Sequence, residues 1–173
     1  DGIPLHYDDL AAEYKNAHTT AILLDRSHEG RIRLTGETRF DLLNRMSTNK
    51  LVDMMPGEGR PSIFTNDNAR IIDRVVVYNT PDHMLVITEP GQNVTIMTFL
   101  QRHIFYGDHV QTEDLTSRTA QFAIHGPQAA AIAQKLHPDA GTTPHLTAYE
   151  TTLDGNQITL LQRKSLIDAH WTV

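Results

Sequence analysis

The sequence predicts an α+β fold in which helices are inserted between the strands of antiparallel sheets. Apolar and polar residues alternate over several short segments, which is typical of half-buried strands. Tight polar turns such as Asp154-Gly155 join neighbouring segments as hairpins. Helical segments separate them without the strand–helix repeat that indicates a parallel sheet. With 173 residues, 39% of them hydrophobic, the chain can bury one sizeable core or two intergrown smaller ones.

The first quarter of the chain predicts two helices and two strands. Tyr7 to Asn16 reads as a helix, with acidic residues early, where they suit a helix N-terminus. Thr20 to Asp25 and Gly30 to Gly36 read as strands. Ile32 and Leu34 of the second strand are predicted to point inward, and Arg31 and Arg33 outward. A short amphipathic helix follows, from Glu37 to Met46.

The segment from Ser62 to Tyr78 predicts a β-hairpin around which the rest is organised. Asp67 and Asn68 separate two apolar runs and tolerate turn conformations. The second run is rich in β-branched residues, as a buried strand should be. Alternation places Ile71 on the face of Asp73, and it places the two charges, Asp73 and Arg74, on opposite faces of the strand. Because buried charges are costly unless they are paired or solvated, these two residues are the first candidates for function.

The remaining chain adds further strands, two helices and a second hairpin. The predicted elements are a strand at Met84 to Glu89, a helix at Gln92 to Phe105, strands at Val110 to Asp114 and Arg118 to His125, a helix from Gly126 to about Leu136, a hairpin of Leu146 to Leu153 with Gln157 to Arg163, and a strand at Asp168 to Val173. The last strand stops in mid-run, and the first residue is Asp1 rather than Met. We therefore expect the chain to be part of a longer protein.

Composition and charge exclude several classes of function. The formal net charge of −6 leaves no basic footprint for nucleic acid. No apolar run is long enough to cross a membrane, and no signal peptide is visible, so a cytoplasmic location is predicted. Without cysteine the chain can form no disulfide, zinc–thiolate site or cysteine-held iron–sulfur cluster. The ten histidines are scattered and form no His-Glu-x-x-His motif, so no metal site is predicted.

Residue chemistry alone leaves the role of the hairpin open. Asp73 and Arg74 could line a polar pocket, or each could make an ordinary cross-strand ion pair. The segment from Thr65 to Asn68 could present amides and a hydroxyl to a ligand, or its side chains could cap their own turn. At this level the sequence predicts a charged strand at the centre of the domain and names no ligand.

Four stretches, in the right order and spacing, resemble the glycine-cleavage T-protein superfamily, whose members bind folate. They are Leu24 to Gly36, Phe40 to Asn49, Pro56 through the hairpin to Tyr78, and Phe122-Ala-Ile-His-Gly-Pro127. The resemblance runs from about Ile22 to Ala133. It implies a T-protein-like N-terminal folate-binding domain in which residues 1–36 and 116–173 form one subdomain and residues 37–115 form the other. The family's C-terminal barrel domain is not present in the sequence.

The resemblance gives the two charges of the hairpin different roles. Transferases of this superfamily carry two consecutive acids here. The second works beside the folate nitrogen that accepts the one-carbon unit, where a carboxylate stabilises developing positive charge. The second position is Arg74 in this sequence, and a fixed cation would have the opposite effect. The family's folate-contacting Tyr falls near Pro61, and its pterin-binding Asn falls on Thr88, which lacks the donor–acceptor edge of an amide.

These departures favour the branch of the superfamily known as the YgfZ type. That branch retains a folate-shaped cavity and is associated with iron–sulfur enzyme maintenance. The implied ligand is tetrahydrofolate or a derivative, and Asp73, at the first acid position, is the candidate catalytic residue. The residues implied to bind folate are Met54, Thr65, Asn66, Arg74, Val76, Thr88 and Glu89. The expected partner is small-molecule folate rather than nucleic acid or a membrane, and any protein partner is unknown.

Three hypotheses about function follow. The first is a folate-binding protein of the YgfZ type that does not transfer aminomethyl groups. The second is an authentic aminomethyltransferase in which Asp73 takes over the role of the missing acid. The third is a ligand-free interaction module whose cavity is packed shut. A Lys-Gly-Cys motif, the mark of the YgfZ branch, is absent here and would be expected beyond Val173.

Overall fold

The computed structural model describes residues 4, 6–7, 9–142, 146–163 and 170–173. They divide into two compact units. Unit 1 comprises the described residues up to Arg26 and from Gln121 onward, and unit 2 comprises Ser27–Ala120. Each unit contains one five-stranded sheet, and every strand pair is antiparallel. The predicted α+β class, antiparallel sheets with inserted helices, is therefore confirmed.

The helices and strands are numbered along the chain. Among the described residues they are α1 (Leu10–Thr19), β1 (Ile22–Asp25), β2 (Gly30–Thr35), α2 (Arg39–Met46), β3 (Gly59–Thr65), β4 (Ile71–Asn79), β5 (Met84–Thr88), α3 (Asn93–Arg102), β6 (Gln111–Asp114), β7 (Phe122–His125), α4 (Ala129–Leu136), β8 (Ala148–Leu153), β9 (Asn156–Arg163) and β10 (His170–Thr172). None of the described helices has the length and apolar character needed to span a membrane.

The core of unit 2 lies between one face of its sheet and helices α2 and α3. The sheet order is β3-β4-β5-β2-β6. Alternate residues of its strands reach this core because successive side chains of a strand point to opposite faces. The helices contribute apolar residues from one stripe each. The buried residues of this cluster are Ile32, Leu34, Leu42, Leu43, Leu51, Met54, Phe64, Val75, Val77, Met84, Val86, Ile96 and Leu100.

Unit 1 has a smaller core, which is centred on Trp171. Its sheet order is β1-β7-β10-β9-β8, and α4 contributes Ala129 and Ala133 to the buried cluster. The hairpin between β8 and β9 turns at Asp154 and Gly155, with φ values of 50° and 81°. Two consecutive positive φ values are typical of the tight hairpin turns that the Asp-Gly pair predicts. The predicted hairpin is therefore observed.

The two units divide the chain after Arg26 and after Ala120, whereas the resemblance implies divisions after residue 36 and after residue 115. Strand β2 pairs with β5 from Gly30–Thr88 to Leu34–Met84, and with β6 on its other side. It therefore lies inside the sheet of unit 2, whereas the resemblance assigned residues 30–36 to the other subdomain. Alternation along one strand identifies the strand but carries no information about which strands pair with it.

Arg31 connects β2 to the segment after β6. It lies on the face opposite Ile32 and Leu34, as alternation predicts, but this outward position is buried rather than exposed. The residue is only 5% exposed. Its guanidinium donates to the backbone oxygens of Glu29 (2.7 Å) and Thr116 (2.6 Å) and to both the backbone oxygen and the hydroxyl of Thr119 (3.0 and 2.8 Å). These hydrogen bonds hold the segment after β6 against β2. Arginine suits this role because its planar fork can satisfy several acceptors at once.

Two further element ends differ from the prediction. Helix α3 ends at Arg102 rather than Phe105, because the Asp108 carboxylate accepts the Phe105 N–H at 2.7 Å and turns the chain. Strand β7 begins at Phe122 rather than Arg118, because residues 115–119 form a turn on the carbonyl of Leu115. Of the predicted last strand, residues 170–172 are observed as β10, whereas residues 168–169 lie outside the described residues.

Candidate functional site

The hairpin of β3 and β4 ends in a turn that its own polar side chains stabilise. The side-chain oxygen of Asn66 accepts the N–H groups of Asn68 and Arg70, each at 3.0 Å. Ala69 adopts a φ of 57°, in the left-handed region. Asn66 therefore caps the turn, which is one of the two roles that the sequence allowed for this segment. It is exposed, and Thr65 beside it is half-buried.

A β-bulge separates this turn from the body of the hairpin. Phe64 pairs with Asp73, but the next residue, Thr65, pairs with Ile71, so Ile72 is an extra residue on β4. A bulge of this kind bends the strand and interrupts the alternation. Ile71 is consequently 62% exposed. The prediction from alternation that Ile71 shares the buried face of Asp73 is therefore wrong.

Beyond the bulge, β4 presents two chemically distinct faces. Asp73, Val75 and Val77 point to the core that α2 and α3 cover, and all three are buried. Arg74 and Val76 point to the opposite face, where Arg74 is exposed and Val76 is half-buried. The predicted separation of the two charges onto opposite faces is therefore observed.

The Asp73 carboxylate serves as an acceptor for two backbone groups. Its Oδ1 accepts the N–H of Arg74 at 2.9 Å, and its Oδ2 accepts the N–H of Glu89 at 3.1 Å. The ladder between β4 and β5 is paired from Asn79–Met84 to Val76–Ile87, so Asp73 bridges the two strands just past the last pair. Burial raises the pKa of the Asp73 carboxyl above its usual range, and the two N–H donors oppose this shift.

Arg74 forms the cross-strand ion pair that the sequence allowed as an alternative to a pocket. Its Nη2 lies 2.9 Å from Oε1 of Glu89, which follows β5. The side chains are 72% and 47% exposed. An exposed pair of this kind stabilises the fold by only about 0–1 kcal/mol. The Arg74 side chain is therefore held only weakly, unlike that of Asp73.

Thr88 is buried at the end of β5 and faces the core side of the sheet. It is 2% exposed, and its hydroxyl donates to the backbone oxygen of Glu89 at 3.1 Å. It packs so closely on Gly30 that a Cβ added there would lie 2.1 Å from the Thr88 hydroxyl oxygen and 2.7 Å from Cβ of Asn93. Asn93 in turn donates to Asp114 at 2.6 Å. Gly30 is therefore required by close approach.

Met54 lies at the other end of β4, in a loop held by charged groups. The residue is buried, and its carbonyl accepts the side-chain N–H of Asn79 at 3.1 Å. Arg60 pairs with Glu58 (2.6 Å) and with Asp53. Hydrogen bonds from Lys50 and then Arg60 lower the pKa of Asp53 to about 2. Ion pairs among Lys50, Asp53, Glu58 and Arg60 thus hold this loop together.

The structure brings only some of the predicted site residues together. Asp73, Arg74, Thr88 and Glu89 meet at adjoining ends of β4 and β5, and Val76 lies on the face of Arg74. Thr65 and Asn66 lie at the turn of the hairpin, and Met54 lies in the loop before β3. Sequence reasoning missed Gly30, which packs closely against both Thr88 and Asn93. A glycine opening a regularly alternating strand was the available signal.

The sequence of the chain is similar to those of several known proteins. An Arabidopsis thaliana protein named as a chloroplastic transferase is 28% identical over 161 residues, which cover 92% of this chain and 37% of that protein. An aminomethyltransferase of Chlorobium chlorochromatii is 28% identical over 137 residues, covering 79% of this chain and 37% of the enzyme. The chain thus spans little more than a third of the length of these relatives.

The fold is shared with a solved structure. The aminomethyltransferase T of the glycine cleavage system from Bartonella henselae gives a TM-score of 0.79 at 20% identity, covering 98% of this chain and 46% of that one. The family model described as the GCVT N-terminal domain matches residues 3–165. Because this match includes nearly the whole sequence, the chain belongs to the GCVT N-terminal domain family.

Proposed function

We propose that the chain is the folate-binding part of a T-protein-like protein that does not transfer aminomethyl groups. The observation that carries this proposal is Arg74. In the resemblance, its position holds the acid that works beside the reacting folate nitrogen of the transferases. The Arg74 cation is exposed, and among the described residues it forms one weak ion pair, so it would repel the positive charge that develops on that nitrogen.

Asp73 is poorly suited to replace the missing acid. Its carboxylate points to the core face of β4, and both of its oxygens accept backbone N–H groups. Turning this carboxylate towards a ligand on the opposite face of β4 would break both bonds and leave two half-buried N–H groups without their acceptor. Leaving such a group unsatisfied costs about 1–3 kcal/mol.

Folate fits the part of the sheet around Arg74, which we call the open face, better than the core face. The exposed guanidinium of Arg74 adjoins half-buried apolar side chains, Ile63 on β3 and Val76 on β4. A planar heterocycle that ends in carboxylates can use both kinds of surface. The proposed set also contains Thr65 and Asn66 in the hairpin turn, Glu89 through its ion pair with Arg74, and two buried residues, Met54 and Thr88, which would not contact a ligand on this face. Among these, Thr88 is closely packed, so we expect it to act by shaping the site.

The finer parts of the proposal concern the branch of the superfamily and the cell compartment. We assign the chain to the YgfZ type, with a role in iron–sulfur enzyme maintenance and a cytoplasmic location. The absent transferase acid supports the branch. Finding a Lys-Gly-Cys motif downstream in the full-length protein would support it further, and fractionation of cells expressing that protein would test the location.

Calorimetric titration of the full-length protein with tetrahydrofolate and with its 5-formyl derivative tests the main proposal. We expect binding of at least one of them, together with no tetrahydrofolate-dependent ammonia release from an aminomethylated lipoyl carrier. Absence of binding would instead favour a ligand-free interaction module, in agreement with the close packing around Thr88. Ammonia release at a rate typical of transferases would overturn the non-transferase assignment.

A second candidate function is aminomethyl transfer itself. It is favoured by relatives that carry the name aminomethyltransferase, such as the Chlorobium enzyme. On this hypothesis Asp73 takes over the acid's role, and burial already raises the pKa of its carboxyl. Ammonia release that is lost in Asp73→Ala but kept in Arg74→Ala would support it. No ammonia release from the intact protein would remove it.

A further inference from the structure

We infer that Glu89 occupies an anion-binding position on Arg74 which a carboxylate of an aromatic ligand takes over by exchange. This inference rests on the proposed folate-binding function, and it adds which group of the ligand binds here and which protein residue competes with it. Arg74, Glu89, Ile63 and Val76 make up what we term the Arg74 patch.

The ion pair of the Arg74 patch can open at small cost. The two side chains are 72% and 47% exposed and meet through Nη2 and Oε1 at 2.9 Å. Exposed pairs contribute about 0–1 kcal/mol, because water and salt solvate the separated charges well. A carboxylate from a ligand therefore displaces Glu89 without a large loss of stability.

The guanidinium has donors available for such a ligand. Arginine carries five N–H donors in a rigid fork, which matches a carboxylate in a bidentate arrangement. Among the described residues, Glu89 is the only acceptor hydrogen-bonded to this guanidinium, through one nitrogen and one oxygen. A ligand carboxylate that engages two nitrogens gains a second charge-assisted hydrogen bond over Glu89.

The backbone under the pair is fixed, so exchange requires side-chain motion only. The buried carboxylate of Asp73 holds the N–H of Arg74 through one oxygen and the N–H of Glu89 through the other. Both residues of the pair are thus anchored by the same group. Rotation of an exposed glutamate side chain is fast and leaves this anchor intact.

The surroundings of Arg74 define the class of ligand. Ile63 lies opposite Arg74 in the register of the hairpin, and Val76 is two residues along the same face of β4. Both are half-buried, and Ile87, which pairs with Val76, is 3% exposed. A ligand carboxylate at Arg74 therefore has apolar neighbours. Ligands that join an aromatic ring to an aliphatic carboxylate, such as the benzoylglutamate end of a folate, have the required chemistry. In this arrangement the carboxylate end of the folate, rather than its reacting nitrogen, lies at Arg74.

A matched pair of probes isolates the carboxylates. We would titrate the full-length protein with 5-formyltetrahydrofolate and with the diamide of its glutamate, in which both carboxylates are neutral. Arg74→Gln should weaken binding of the acid roughly tenfold and leave the diamide nearly unchanged. Glu89→Gln removes the competitor and should strengthen binding of the acid by about threefold. The Arg74→Gln/Glu89→Gln double variant should show no such gain.

Two exposed residues of the hairpin turn provide controls for net charge. Arg70→Gln and Asp67→Asn change the charge by the same amounts, and they should leave the preference for the acid over the diamide as it is in the wild type. Both residues are exposed and lie outside the Arg74 patch. Thermal unfolding of each variant verifies that the fold is intact.

The possible results separate this inference from the function on which it rests. Equal binding of acid and diamide to the wild type, or an acid preference that survives Arg74→Gln, would overturn the exchange model while folate binding stands. Failure of both probes to bind the wild type would overturn both. Loss of the preference in the control variants as well would reduce it to a general charge effect, which also contradicts the inference.

Discussion

Asp73 and Arg74 follow each other along β4, but their side chains lie in opposite environments. The Asp73 carboxylate is buried on the core face and accepts two backbone N–H groups. The Arg74 guanidinium lies on the open face and makes one exposed ion pair. Neighbouring charges of a strand can differ in this way because the pleat directs successive side chains to opposite faces.

This difference shows that the face of the sheet, rather than the charge itself, decides the role of each residue. A carboxylate without solvent must be satisfied by the protein, and Asp73 therefore ties the ends of β4 and β5 together. A guanidinium with solvent access needs no such partner and can meet a ligand. The comparison predicts a large stability effect at Asp73 and a small one at Arg74.

The largest effect is expected for Asp73→Ala. The substitution leaves the N–H groups of Arg74 and Glu89 without their acceptor and opens a void next to the core. We expect a loss of about 3 kcal/mol in the free energy of unfolding, measured by urea denaturation. An equal loss in Arg74→Ala would contradict the assigned difference between the two faces.

Asp73→Asn tests the electrostatic part of the same site. Since burial raises the pKa of Asp73 in the folded state, the folded protein binds the proton more tightly than the unfolded chain. The contribution of Asp73 is therefore most favourable at low pH and is lost as the pH rises from about 4 through the folded-state pKa. Relative to the wild type, the variant should lose this slope in unfolding experiments between pH 4 and 7.

The next largest effect is expected for Gly30→Ala, also on the core face. The new Cβ would lie 2.1 Å from the Thr88 hydroxyl oxygen and 2.7 Å from Cβ of Asn93, so these neighbours must move. We expect a destabilisation of about 2 kcal/mol in urea denaturation. Gly107→Ala is the control, because nothing lies within 4 Å of a Cβ there. Equal losses in both variants would show that packing against Thr88 is not the cause.

A smaller effect, of opposite sign, is expected in the turn of the hairpin. Ala69 has a φ of 57°, which is unfavourable for any residue with a Cβ. Ala69→Gly should therefore raise the unfolding free energy by about 0.5 kcal/mol. The gain is small because glycine relieves the strain of the turn but also increases the conformational entropy of the unfolded chain. Differential scanning calorimetry would measure it, and a lower unfolding temperature would contradict this account of the turn.

The smallest effect is expected for Arg74→Gln on the open face. Losing one exposed ion pair should change the unfolding free energy by less than about 0.5 kcal/mol, as in the matched variant Arg70→Gln. A loss comparable to that of Asp73→Ala would show that Arg74 is structural. In that case, the contrast between the two faces would fail.

The sequence was sufficient for the local features of the hairpin. The β-branched run of β4 predicted a buried strand, and alternation predicted that Asp73 and Arg74 diverge. Polar residues between the two runs predicted the turn that Asn66 caps. These features depend on residues close together in the chain, whose conformational preferences are readable directly.

Features that depend on distant residues were not readable in this way. The burial of Arg31 depends on the carbonyls of residues 116 and 119, which come more than eighty positions later. The exposure of Ile71 depends on a bulge opposite β3, which alternation cannot reveal. The close packing of Thr88 follows from its pairing with Gly30.

By itself, the sequence determined the α+β class, the two faces of β4 and the presence of a cation at Arg74, because periodicity and residue identity are local properties. The tertiary structure decided that Asp73 bridges two strands and that Arg74 meets Glu89 on the open face. Those contacts join residues fifteen and sixteen positions apart, and they arise only when β5 lies beside β4. Strand pairing of this kind is set by the packing of the whole sheet.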